Sequence, residues 1–416
     1  MAEPGETTLW RNRAFVRLWL AQVISSAGSQ VTTLALPLTA VLVLGATPAQ
    51  MGALGVAIDL PNLLVGLHAG VWVDRTRRRP ILVGADLGRA VLLGSIPVVS
   101  LLGHLTFAQL VVVGFAAGIL TVFFEVASTA ILPSVVARKQ LIAANSALAS
   151  SNAVLAIAGP SIAGGLVQLL GAPRAILIDA ASYVGSALTL GTTGANESPP
   201  PRSSAPGNVR AEISEGLRAL LRTPLLRALT TSSSAGSLFL AAQNPVLVLF
   251  LTRELGFTAA TLGLIFACGG GGTLLGAALA GRAARHLGPG RAIVLGTFLG
   301  VVGGLLVPLA GFADLGLPLV VAGRILAGLG ASIYSVNQLS LRQLLTPPTL
   351  LGRVNAARRF LVFGMAPIGA AAGGLLGSTI GLRPALLVGA VGFVAALLLV
   401  LFSPVPSVRD TSSLSA

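Results

Sequence analysis

Apolar runs long enough to cross a lipid bilayer recur a dozen times along these 416 residues, and this recurrence limits the fold more than any other feature. One hydrocarbon crossing takes ~20 apolar residues in a helix. Runs bounded by charge or by Pro and Gly fall at about 14–44, 50–73, 80–103, 106–137, 141–170, 174–193, 225–251, 258–286, 291–312, 315–345, 354–380 and 383–402. Pro37, Pro61, Pro133, Pro160, Pro245, Pro308 and Pro367 lie inside them, which membrane helices tolerate. Twelve spans with short loops use most of the chain, so it is not a soluble body on a single anchor.

Composition excludes the main competing classes. Charged residues are 10% of the chain against about 25% in a soluble protein, too few to face water all round. The formal charge of +14 invites a nucleic-acid reading, but that needs a basic face on a soluble fold. Here the charges sit in loops between apolar runs, so the bilayer and not nucleic acid is the expected partner. Cys268 lies alone in an apolar run and makes no disulfide framework. Two glutamates precede Arg13, and the first apolar run is too long for a signal peptide. No GxxxxGK[ST], HExxH or CxxC occurs, and His68, His104 and His286 are scattered. The chain is therefore read as no enzyme, with no cofactor and no bound metal.

Arginine fixes the expected orientation. With the N-terminus inside, outer loops hold Arg174, Arg253 and Arg383, and Arg89 and Arg324 lie within spans, leaving 22 of the 27 basic residues inside. That asymmetry follows the positive-inside rule and predicts a multi-pass protein of the cell (inner) membrane with both termini cytoplasmic.

The only long polar linker runs from Gly194 to Gly207 and holds three consecutive prolines, Pro199 to Pro201. It divides the chain into an N-terminal bundle (1–193), a cytoplasmic linker (194–224), a C-terminal bundle (225–403) and a tail (404–416). Within the linker, Ile213, Leu217, Leu220 and Leu221 recur at helical spacing between charges, which predicts an amphipathic surface helix. The two bundles repeat. Leu141, Asn145 and Ala147 match Leu351, Asn355 and Ala357 at an offset of 210, and Gly171 and Ala180 match Gly381 and Ala390 at the same offset. Both copies run in the same direction, so the halves are parallel repeats.

Three motifs carry the functional reading. Between spans two and three stand Gly70, Asp74, Arg75, then Arg77 to Arg79 before Pro80. In span three, Asp86 and Arg89 lie three apart, on one helix face, about 9 and 13 Å in from Pro80 at ~1.5 Å per residue. Span five carries Gly159, Pro160 and the pair Gly164-Gly165. These features resemble the major facilitator superfamily, closest to its drug and siderophore exporter branch, which includes macrolide and enterobactin exporters. Ile131-Leu132-Pro133 and Gly352-Arg353-Val354 extend the likeness.

The resemblance implies an all-α membrane protein of twelve transmembrane helices in two parallel six-helix bundles, working by alternating access and proton antiport. In that family the Asp74-type carboxylate meets a helix N-terminus of the opposite half, where the dipole favours an anion. Gly70, Asp74, Arg75, Arg79, Asp86, Arg89, Gly159 and Pro160 would then serve gating. Topology alone explains the arginines but not Asp74; Asp86 and Arg89 read equally as a structural pair, and the glycines as ordinary packing. The second copy has Gly281 where the acid would stand, before Arg282 and Arg285, so the lock is one-sided.

Acids inside spans are costly and usually functional. Glu125 in span four and Asp59 in span two are the proton-coupling candidates, with a structural ion pair or wetted vestibule as the plain alternative. Asp179, about 8 Å from the outer face, reads as a solvated or helix-packing acid. Spans one, four, seven and ten line the cavity in the family. They carry Gln22, Ser26, Ser29 and Thr33; Thr121 and Ser128; Ser233, Ser237 and Asn244; and Tyr334, Asn337 and Gln338 as substrate candidates. Hydroxyls in membrane helices also simply bond their own backbone. Arg324, a cation without a same-helix partner, suits an anionic substrate group or an acid on another helix. The expected function is monomeric export of a small lipophilic or amphipathic molecule in exchange for protons. The alternatives are a proton-coupled importer of a small nutrient and a membrane receptor that does not transport.

Overall fold

The computed structural model describes residues 9–192, 209–310, 315–347 and 350–409. Among these, regular structure is helical throughout. The helices are α1 (Arg13–Leu38), α2 (Pro48–Arg75), α3 (Arg78–Leu101), α4 (Phe107–Val135), α5 (Leu141–Leu170), α6 (Ala172–Gly191), α7 (Val209–Arg222), α8 (Pro224–Leu249), α9 (Ala259–Leu287), α10 (Pro289–Leu309), α11 (Gly316–Leu345), α12 (Leu351–Thr379) and α13 (Leu382–Leu401). Apart from α7 these are the twelve expected spans, displaced by a few residues.

Eleven of the helices are long and apolar enough to cross a membrane. The twelfth, α6, falls short in hydropathy because Arg174 stands in its first turn and Asp179, Tyr183 and Ser186 interrupt its apolar sequence. Those three side chains are buried, and α6 packs on α1 and α3. These three polar groups meet protein instead of lipid, so they do not keep α6 from spanning.

Contacts divide the chain into two compact units, Met1–Gly45 with Leu64–Ser204, and Ala46–Leu63 with Ala205–Ala416. The division near 204 falls in the Pro-rich linker. Residues 46–63 differ from the sequence division at 193, because the first half of α2 belongs with the second unit. Its anchor is a glycine crossing: a Cβ on Gly52 would sit 2.9 Å from the Cα of Gly374 on α12. Small residues let membrane helices approach this closely where no hydrophobic drive holds them together.

In the first unit α1 contacts α5 and α6, and α3 contacts α4 and α6. The core gathers Phe15, Leu18, Leu82, Phe124 and Ile131. Asn12 caps α1 by accepting from the Ala14 and Phe15 amides, and its Nδ2 donates to the Val135 carbonyl at 2.8 Å, tying α1 to the end of α4. In the second unit α11 is central, packing on α9 and α10, while α8 packs on α12 and α13.

The internal repeat is visible in the backbone. The first helix of each half ends in a π turn, Thr39–Val43 after α1 and Phe250–Glu254 after α8. A glycine with positive φ follows each, Gly45 at 62° and Gly256 at 66°. Thr47 and Thr258 then accept from the amides of Gln50 and Thr261 and open the next helix. Gly171 and Gly381 also match, at φ 81° and 94°, joining α5 to α6 and α12 to α13. Only glycine reaches these angles without strain.

The amphipathic helix expected at 212–222 forms as α7, and part of its apolar face packs on α12 while Leu221 stays exposed. Leu220 is buried with Val354 and Ala357 of α12, and Gly216 lies directly on the Arg353 backbone.

Candidate transport site

The second unit encloses a cavity of about 330 Å³, at the lower end of the ~300–1,000 Å³ usual for small-molecule sites. One wall is the bare face of α10, where Gly296, Gly300, Gly303 and Gly304 present no side chains. Leu240, Leu247, Val307, Val362 and Phe393 make it largely apolar. Polar groups enter at a few points: Ser237, Gln243 and Asn244 from α8, Thr297 from α10, Arg324 and Tyr334 from α11, and Arg358 from α12. Tyr334 is held in place, its hydroxyl 2.7 Å from Ser233 Oγ, which in turn donates to the Leu229 carbonyl at 2.8 Å. The Arg324 guanidinium stands over the Phe266 ring of α9 at 5.2 Å.

Five of the substrate candidates, Ser233, Ser237, Asn244, Arg324 and Tyr334, therefore line one cavity. Asn337 and Gln338 do not. Asn337 is buried and donates to the carbonyls of Ile333 at 2.9 Å and Ala280 at 3.4 Å, so its amide joins α11 to α9. Gln338 is also buried, with Nε2 unpartnered. Arg358 and Gln243 went unnoticed in the sequence. Arg358 had a signal, since it falls inside the predicted 354–380 span, as Arg342 falls inside 315–345.

The first unit holds a buried charged network. Asp86 and Arg89 of α3 pair as their spacing suggests. Ser186 of α6 donates to the other carboxylate oxygen of Asp86 at 2.6 Å. The Arg89 guanidinium is stacked between aromatic rings, 4.4 Å from the centroid of Phe124 and 4.1 Å from that of Tyr183. Tyr183 bonds Ser29 of α1 at 2.8 Å. Asp179 is fully buried, not solvated as one reading of its depth allowed; Ser182 donates to its Oδ1 at 3.2 Å. Gly28 makes the room, for a Cβ there would lie 2.5 Å from Asp179 Oδ1.

The remaining candidates are dispersed. Ser29, Thr33 and Thr121 donate to carbonyls one turn back in their own helices; Gln22 and Ser26 are half-buried on α1. Glu125 is exposed on α4 and belongs to the first unit, whereas Asp59 is half-buried on the part of α2 that belongs to the second. Arg79 donates to the Leu190 and Gly191 carbonyls, closing the C-terminus of α6. Gly159 lies against Gln30 of α1, where a Cβ would approach to 2.5 Å; Pro160 follows in α5. Gly70, Asp74 and Arg75 occupy the last two turns of α2, and the Asp74 side chain is outside the described residues. Among the described residues no three His, Cys, Asp or Glu gather to hold a metal.

A helical membrane body in two repeated units, one with an apolar cavity and sparse polar groups, is the architecture of a major facilitator transporter. A bacterial homologue of the iron transporter ferroportin in its inward-facing state has the same fold, at TM-score 0.76 and 18% identity over 95% of this chain and 99% of that one. So has the nucleoside transporter NupG, at TM-score 0.71 and 13% identity over 93% and 98%. The chain belongs to the transmembrane secretion effector family of major facilitator proteins, which it matches over residues 6–416. It is similar to the multidrug efflux pump Tap of Mycolicibacterium fortuitum, 28% identical over 87% of this chain and 89% of that protein. It is also 26% identical to macrolide efflux protein A of Streptococcus pyogenes, over 78% and 80%. It is thus an integral membrane protein of a transporter family with efflux pumps among its relatives.

Proposed function

We propose that this protein is a monomeric proton-driven exporter of a small amphipathic molecule, working by alternating access in the cell membrane with both termini cytoplasmic. The cavity of the second unit carries the reading: apolar walls with a few polar groups suit a solute with a large apolar body. The efflux relatives support the outward direction, and the arginine asymmetry supports the orientation.

Glu125 is the first candidate proton carrier, being an acid with an exposed side chain in the apolar span α4. Asp59 is the second. The Asp74 region and the buried Asp86–Arg89 pair would form the gate. The test is tolerance and transport together. Cells expressing the chain should survive raised concentrations of some toxic amphiphile, and everted vesicles should accumulate it only while a pH gradient stands. Accumulation that persists after a protonophore collapses the gradient would overturn proton coupling, and no gain in tolerance across a broad panel would overturn export.

A further inference from the structure

We infer that the cavity of the second unit selects an amphiphile with an anionic group, which Arg358 and Arg324 hold at the two ends of the cavity; this rests on the export reading above. Helices α8–α13 and the π turn after α8 contain eleven arginines and a single acid, Glu254. That acid is engaged with Arg383 at 3.6 Å. The cations on the cavity wall therefore have no carboxylate partner on α8–α13. A cation in an apolar wall is expensive to keep unless an opposite charge visits it.

The placement defines two stations. Arg324 and Tyr334 are ten residues apart on α11, about 15 Å along the axis at ~1.5 Å per residue. Arg358 lies within electrostatic reach of Tyr334, and so does Arg342. Arg342 is buried, with Nε and Nη1 unpartnered. One end of the cavity thus carries Arg358 and the other carries Arg324. Between them run the glycine face of α10 and the apolar Leu240, Val362 and Phe393. An anion entering at Arg358 would exchange that contact for Arg324 while its apolar body stays on the glycine face. A cationic solute would meet repulsion at both ends.

Two dyes that share a xanthene frame test this, anionic fluorescein and cationic rhodamine 123. The full chain in phosphatidylcholine nanodiscs is titrated with each by fluorescence anisotropy, against empty discs. Fluorescein should bind at least tenfold more tightly than rhodamine 123. Arg358→Gln and Arg324→Gln should each weaken fluorescein at least fivefold, whereas Arg358→Lys should stay within about threefold of the parent, which assigns the loss to charge and not to misfolding. Equal or tighter rhodamine binding, no fluorescein binding, or unchanged affinity in both Gln variants would each overturn the inference. Dye retention in expressing cells separates it from the export reading. Expulsion of rhodamine 123 but not fluorescein keeps export and overturns the anion site. The expected binding pattern with neither dye expelled supports the site and overturns export.

Discussion

Asp86 and Arg89 form an ion pair that is almost wholly shut off from solvent, at 0% and 3% exposure, with both partners on the same face of α3. Their spacing makes the pair, but neighbours make it tolerable: Ser186 satisfies the second carboxylate oxygen, and the Tyr183 and Phe124 rings cover the guanidinium. A buried pair is weak evidence of stability, yet breaking one is expensive because a lone charge remains.

Asp86→Ala should therefore destabilise the protein by about 3–5 kcal/mol. Asp86→Leu combined with Arg89→Met should cost clearly less than the sum of the single changes. Thermal unfolding of Asp86→Leu, Arg89→Met and the double variant in one detergent gives the cycle. Additive losses would mean the two side chains are not coupled.

The cavity depends on how closely α10 and α11 approach. A Cβ on Gly303 would lie 2.5 Å from the Gly323 carbonyl oxygen and 2.7 Å from the Ala327 nitrogen, both backbone atoms that cannot move aside. Gly303→Leu should cost at least ~1–3 kcal/mol by overpacking and lower the yield of monodisperse protein. Gly66 has nothing within 4 Å of the same construction, so Gly66→Ala should leave stability within about 0.5 kcal/mol. Equal behaviour of the two variants would contradict the helix crossing.

Helix α7 is held by fit more than by charge. A Cβ on Gly216 would sit 2.2 Å from the Arg353 carbonyl oxygen, while the Glu215–Arg353 pair at 2.5 Å is 46% and 40% exposed. Gly216→Val should release α7 and speed tryptic cleavage after Arg218 and Arg222 several-fold. Glu215→Gln should cost no more than about 1 kcal/mol and leave cleavage unchanged.

Glu125→Gln should abolish substrate-driven proton movement in everted vesicles, read from a pH-sensitive dye, while Asp59→Asn should slow it less. Both variants should keep substrate binding within about threefold. Proton movement intact in Glu125→Gln would remove it as the carrier.

Much of this was already legible in the chain. Span length and hydropathy place the helices because every backbone group in a bilayer core must be paired within its own helix. The arginine pattern, the 210-residue offset and the i, i+3 position of Asp86 and Arg89 likewise need only local periodicity. The tertiary structure decided what depends on helix rotation and approach. Ser186 reaches Asp86 across 100 residues, Asn337 turns toward α9 and away from the cavity, residues 46–63 join the second unit through Gly52 and Gly374, and Arg358 enters the wall of the cavity that Arg324 also lines. Those outcomes turn on which faces of the helices meet. Small residues set that spacing collectively, and no single helix states it in its own sequence.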